Sequence, residues 1–169
     1  CGAYDKPRTQ VENPKAGGKI WTPYFTWGIY FDNSPIKASV YGNICVDNTL
    51  GGIFFSAMAA KDVVVENNIF AESSVQQMDL PRGGAGNRVR RNIIYYSSPR
   101  AALLSTNKGE ASAECAFNLY YQTACAELKV PGSEDISFAK CRAMGFDAPS
   151  IVIDPTVVAF KTADYCLQP

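Results

Sequence analysis

Apolar and polar positions along this chain repeat with a period far longer than a helix turn or a strand pleat. Four segments fall into register on an asparagine: Val40-Tyr-Gly-Asn43-Ile44-Cys45, Val65-Glu-Asn-Asn68-Ile69-Phe70, Val89-Arg-Arg-Asn92-Ile93-Ile94 and Cys115-Ala-Phe-Asn118-Leu119-Tyr120. The asparagines stand 25, 24 and 26 residues apart. Three places before each comes Val40, Val65, Val89 or Cys115, and one place after it Ile44, Ile69, Ile93 or Leu119. Apolar columns kept in phase over such a period mark a solenoid, whose neighbouring repeats bury each other's faces. β-Branched and aromatic residues dominate the runs and Asn or Gly interrupts them, so the unit is extended rather than helical.

A second column runs beside the first. Gly28-Ile-Tyr-Phe31 returns 24 residues later as Gly52-Ile-Phe-Phe55, so each repeat carries at least two strands. The fixed leucine offsets and helical half of a leucine-rich repeat are missing. The pattern therefore predicts an all-β fold, a parallel β-helix with coils of about 24–26 residues and strands stacked about 4.8 Å apart. Stacking puts like residues above like, so Asn43, Asn68, Asn92 and Asn118 are expected to form a structural ladder of carboxamides inside a bend.

The repeat divides the 169 residues into three parts. Residues 1–26 are expected to form an N-terminal extension or cap, 27–128 the coils, and 129–169 an irregular segment that closes the helix. The stretch Cys1 to Lys19 is rich in Gly, Pro and charge and shows no strand pattern, and from Lys129 onward the repeat is lost, as in an atypical capping unit. With no initiator methionine, the chain reads as a processed product or a portion of something longer. Exposed strand edges on an end coil would then favour stacking with another chain or with a missing portion of the same β-helix.

Charge narrows the partners. Lys and Arg number 16, as do Asp and Glu, which argues against nucleic acid. No apolar run is long enough for a membrane span. The 6 cysteines form no Cys-x-x-Cys pair and histidine is absent, which removes zinc-site and Cys/His-protease readings. Cys115 occupies an apolar column, where a free thiol acts as a small hydrophobe. Cys125, Cys141 and Cys166 fall in the irregular part, where a disulfide would help most, favouring a secreted or cell-surface location. Cys1-Gly2 adds a second reading, a lipid anchor on a processed N-terminal cysteine.

The segments Trp27-Gly-Ile-Tyr-Phe-Asp32-Asn33, Gly51-Gly-Ile-Phe-Phe55, Val64-Val-Glu-Asn-Asn-Ile-Phe70 and Asn87-Arg-Val-Arg-Arg-Asn-Ile-Ile-Tyr-Tyr96 resemble the right-handed parallel β-helix repeat proteins of the pectate-lyase-like superfamily. The tail from Gly145-Phe-Asp147 through Asp154-Pro155 to Pro169 looks like the closing segment of bacterial members. The resemblance covers roughly residues 27 to 169, the C-terminal portion of such a protein. It implies an extracellular polysaccharide-active protein, a hydrolase, lyase or epimerase, with Ca²⁺ a cofactor of some lyases. Two departures stand out. Related glycosidases follow a Gly-Ile-Tyr strand with two acidic residues, where this chain has Asp32 and Asn33. They also place histidines one coil later, where this chain has Phe54, Phe55 and Ser56.

The candidate chemistry is of three kinds. Asp32 follows its strand by one position, Ser56 holds that offset in the next coil, and Asp79 falls within a residue of the column one coil further. Two coil spacings would part the carboxyls by roughly 9 to 10 Å, at the edge of the 6.5–9.5 Å that inverting glycosidases use. The competing reading puts both aspartates in solvated turns. Between Pro81 and Gly109 lie Arg82, Arg88, Arg90, Arg91, Arg100 and Lys108 with no acid. Such a run can grip a uronate carboxylate or form an ordinary solvated face, and strand alternation forbids Arg90 and Arg91 from lining one groove. In the cluster from Trp21 to Trp27, the rings of Trp21, Tyr24 and Trp27 are candidate sugar platforms, or a plug on the first coil. The loop Arg82-Gly-Gly-Ala-Gly-Asn87 lacks the ending of a phosphate cradle and is expected to be a flexible excursion. The polysaccharide reading competes with a non-catalytic stalk, adhesin or surface-assembly module.

Overall fold

The chain is an all-β parallel solenoid. A computed structural model describes residues 9–12, 18–22, 25–56, 59–81, 83–105, 113–123, 129–130, 136–137, 139, 143, 147 and 149–152. In chain order the strands are β1 (Thr9–Glu12), β2 (Lys19–Thr22), β3 (Trp27–Phe31), β4 (Ser39–Tyr41), β5 (Ile44–Val46), β6 (Gly51–Phe55), β7 (Val64–Glu66), β8 (Ile69–Ala71), β9 (Gln76–Asp79), β10 (Asn87–Arg90), β11 (Ile93–Tyr96), β12 (Ala102–Ser105), β13 (Ala113–Ala116), β14 (Leu119–Gln122), β15 (Lys129–Val130), β16 (Ile136–Ser137) and β17 (Ile151–Val152). Every third strand joins the same sheet. The platform sheet runs β3-β6-β9-β12, the valine sheet β4-β7-β10-β13, and the ladder sheet β5-β8-β11-β14-β17. All neighbours within these sheets are parallel.

Both sequence columns are strand registers. Val40 pairs with Val65, Val65 with Val89, and Val89 with Cys115. In the platform sheet Ile29 pairs with Ile53, Tyr30 with Phe54 and Phe31 with Phe55. The valine column meets Cys45, Phe70, Ile94 and Tyr120 of the ladder sheet and Ile53, Phe55, Met78, Leu80, Leu103 and Leu104 of the platform sheet in one buried core. Stacked coils bury their apolar columns on each other, and this burial is the main stabilising term. At Gly52 a Cβ would lie 2.4 Å from the Phe70 ring, so only glycine lets that strand sit against the core.

Three corners turn each coil, and most of the described ones use a residue with positive φ. The first corner has Lys37, Asp62 and Gly86 at φ 55, 54 and 76°. The second has Gly42, Asn67, Arg91 and Phe117 at 66, 54, 54 and 57°, and the third Asp47 and Glu72 at 57 and 53°. A left-handed residue reverses the chain sharply without breaking the flanking ladders. Arg91 at the second corner lies over the Phe117 ring of the next coil, 5.9 Å from its centroid, a cation–π contact.

Immediately after the second corner comes the ladder. The Asn43 carboxamide donates to Asn68 Oδ1 at 3.0 Å, Asn68 to Asn92 Oδ1 at 3.0 Å, and Asn92 to Asn118 Oδ1 at 3.0 Å. The backbone N–H of Asn43, Asn68 and Asn92 donates to the same oxygen in each case, at 3.0, 3.1 and 3.0 Å. The second carboxamide hydrogen of Asn68, Asn92 and Asn118 goes to the carbonyls of Val40, Val65 and Val89 in the preceding coil, each at 3.0 Å. These asparagines are structural, as their spacing predicts.

Three sequence expectations change. The stretch read as patternless contains β1, which pairs antiparallel with β2, Val11 opposite Ile20. The repeat does not end at Lys129: Ser150 takes the place of the next asparagine, accepting the Asn118 N–H at 2.6 Å, and β17 pairs with β14, Ile151 on Leu119 and Val152 on Tyr120. The glycine loop before β10 is no excursion. Gly84 lies so close to the Ala60 carbonyl that a Cβ would overlap it, and Asn87 clasps the same coil, accepting from Val63 N–H at 3.1 Å and donating to the Ala60 carbonyl at 2.8 Å.

Candidate functional site

The platform sheet carries aromatic rings on its first two strands that the core does not absorb. Phe25, just before β3, and Tyr30 within it are 61% and 45% exposed. Trp27 and Phe54 are partly exposed beside them. Trp27 stacks on Phe54 with centroids 4.5 Å apart, and Tyr30 lies 5.1 Å from Phe54. Phe25 meets Trp27, Tyr30 and Phe54 edge-on at 6.5, 5.9 and 6.3 Å. The stack follows from the coil: Phe54 is the register partner of Tyr30, so its ring is held one coil spacing away. Gly51, opposite Trp27, lies directly beneath the indole, where a Cβ would come within 2.4 Å of the ring.

Of the three rings expected as a sugar platform, Trp27 lies in this stack. Trp21 is described only through its backbone in β2, and Tyr24 lies outside the described residues. Phe25 and Phe54 were not singled out by the sequence reading. Phe25 sits inside the quoted aromatic cluster, and the pairing of Gly28–Phe31 with Gly52–Phe55 places Phe54 against Tyr30, so both signals were present.

Asp32 is exposed at the end of β3. Its Oδ1 accepts the Asn33 N–H at 3.0 Å, a local turn of the kind short acidic side chains make. Asp79 stands elsewhere. Met78 pairs with Ile53, which puts Asp79 level with Phe54 and Tyr30, whereas Asp32 is level with Ser56, whose N–H donates to Phe31 at 2.9 Å. The offset is two residues rather than one. Two strand spacings and two residues of rise set the Cα positions about 12 Å apart. Asp79 is fully buried, and its Oδ2 accepts the Phe55 N–H at 3.1 Å. It therefore lies neither in a solvated turn nor beside Asp32 on one open groove.

Among the arginines, Arg82 lies outside the described residues. Arg88 and Arg90 project from β10 in the valine sheet, away from the strands that carry the rings. The run contains no acid of its own, but adjacent coils supply two. Arg90 and Arg91 both bind Glu66, at 3.0 and 2.8 Å, and Arg88 lies 3.8 Å from Glu114. The expectation that Arg90 and Arg91 could not serve one site fails because Arg91 sits at a corner with φ 54°, where strand alternation is broken. Partial burial pushes the Glu66 carboxyl up, but the hydrogen bonds and charges of the two guanidiniums outweigh it and hold the group below the usual carboxylate range.

Two further groups mark the far end of the solenoid. The Tyr120 hydroxyl donates to Asp147 Oδ2 at 2.5 Å, and the Ser150 hydroxyl donates to Asp147 Oδ1. Burial, together with the Asp147 charge, pushes the Tyr120 phenol well above its ordinary value. Cys45 and Cys115 are buried free thiols, both pushed up by burial. Cys125, Cys141 and Cys166 lie outside the described residues. Among the described residues no three Cys, Asp or Glu side chains group as metal ligands, and no helix is long and apolar enough to cross a membrane. No protein-family model, curated protein or solved structure matches this chain.

Proposed function

We propose that this solenoid is a secreted or cell-surface carbohydrate-binding protein of the pectate-lyase-like kind, which takes a polysaccharide on the aromatic face of β3 and β6. The observation that carries the reading is the four-ring stack of Phe25, Trp27, Tyr30 and Phe54, open to water at Phe25 and Tyr30. Rings held by a rigid coil offer flat apolar area at little entropic cost, which suits the C–H faces of pyranose rings. Two of the rings are largely open to water, where their exposure gains nothing for the fold. Binding is the primary role in this reading. Asp32 is the carboxyl at the edge of the platform and the residue on which cleavage would draw, since buried Asp79 is held by the Phe55 amide.

The test is affinity electrophoresis against a panel of soluble polysaccharides, with turnover followed in parallel as new reducing ends and as unsaturated uronate. Phe25→Ala and Tyr30→Ala remove exposed rings without opening the core, so the fold should survive by circular dichroism. Each is expected to weaken binding about tenfold, the loss of one good aromatic contact. Binding unchanged in the double variant would remove the platform from the site. Reducing ends that disappear in Asp32→Asn would add hydrolysis to the binding role.

A further inference from the structure

Resting on that reading, we infer that the polymer taken by the platform is a neutral glycan and not a uronate. A uronate chain carries a carboxylate on every sugar, and its recognition calls for cations beside the stacking surface, Arg above all for its two-pronged grip. The strands of the platform sheet read Trp-Gly-Ile-Tyr-Phe, Gly-Gly-Ile-Phe-Phe, Gln-Gln-Met-Asp and Ala-Leu-Leu-Ser, with no Lys or Arg in any of them. Three of the candidate arginines are engaged elsewhere: Arg90 and Arg91 share Glu66, and Arg88 faces Glu114 on the valine sheet.

Among the described residues, the cations nearest these strands in sequence are Arg100, Lys37 and Lys61. Lys37 and Lys61 lie at the first corner, where the Lys37 N–H donates to the Lys61 carbonyl. Arg100 precedes β12, the far strand of the sheet, about 14 Å from β3 by strand spacing. The charged side chain at the end of β3 itself is Asp32, exposed and of the same sign as a uronate. Like charges at that range repel, and the repulsion acts against an anionic polymer alone. Among the described residues these rings have a flanking acid and no flanking base, an arrangement that discriminates toward an uncharged chain.

Affinity electrophoresis in gels containing a soluble mixed-linkage β-glucan, a galactomannan, polygalacturonate or alginate, each at low and high salt, tests the inference. Retardation is expected in a neutral gel, unchanged by salt and weakened about tenfold by Phe25→Ala. Any binding to the two uronates should be at least tenfold weaker, and Asp32→Asn should narrow that gap. Tighter binding to a uronate that fades with salt would overturn the neutral assignment and leave the binding function standing. No retardation in any of the four gels, from protein shown to be folded, would overturn the binding function and the inference with it.

Discussion

The two ends of the asparagine ladder are built differently, though the same repeat reaches both. At the far end the backbone N–H of Asn118 donates to Ser150, and Ser150 and Tyr120 both donate to the buried carboxylate of Asp147. Every polar group of that rung has a partner, and Tyr120 is fully buried. At the near end, the strands of the first coil are sheet edges. Tyr41 and Ile44 are 69% and 49% exposed there, in the columns that their successors Glu66 and Ile69 continue inward. Asn43 donates downward to Asn68 but has no coil above it among the described residues. A solenoid thus has direction: one end is sealed by hydroxyls and a carboxylate, the other left as a strand edge.

The largest expected effect lies between the two ends. Asn92→Ala leaves the Asn68 amide and carboxamide and the Val65 carbonyl without their partner, all buried. It should cost about 2–4 kcal/mol, read as a lowered midpoint in chemical denaturation.

Next comes the sealed end. Tyr120→Phe removes one of the hydroxyls on Asp147 and should cost about 1–2 kcal/mol. The same pair sets a pH limit. A phenol raised in the folded state stabilises it fully below the unfolded value, and that contribution is lost as pH rises toward the folded one. Stability should therefore fall above about pH 10, and less steeply in Tyr120→Phe; equal slopes would unseat this account of the end rung.

The smallest effect is at the open end. Asn43→Ala loses the carboxamide's donation to Asn68 Oδ1 and to the Tyr41 carbonyl but keeps the backbone N–H on that oxygen, and should cost about 0.5–1 kcal/mol. A loss as large as that of Asn92→Ala would mean that the two ends are not distinct.

What the sequence made legible was what every coil repeats. Val40, Val65, Val89 and Cys115 announce themselves because burial imposes one apolar residue at one place per turn. The asparagines do so because the corner demands a carboxamide. Ser150 escaped because it stands 32 residues after Asn118 and substitutes a hydroxyl for the amide, so both period and residue type change at once. The arginine run misled because a sequence reading counts charges along the chain. Pairing works across coils, where Glu66 stands 24 residues from Arg90, in the same column. Asp79 was misplaced by one residue because successive coils of the platform sheet differ in length, Trp27 pairing with Gly51 and Ile53 with Met78. The aromatic site was half legible: its ring types were plain, but choosing Phe54 required trusting the register of the platform sheet as far as that of the ladder.

The left-handed corners have a consequence for how such a chain can change in length over evolutionary time. Each corner fixes where the next strand begins, so the coil is a frame into which residues are counted. Deletion of the corner residue Arg91 would pull Asn92 and, after it, Asn118 off the stack, much as a frameshift garbles all that follows. Loss or duplication of one whole coil would leave every column in phase. Length variants of this protein should therefore differ by roughly one repeat at a time, with smaller indels confined to the longer connections between strands.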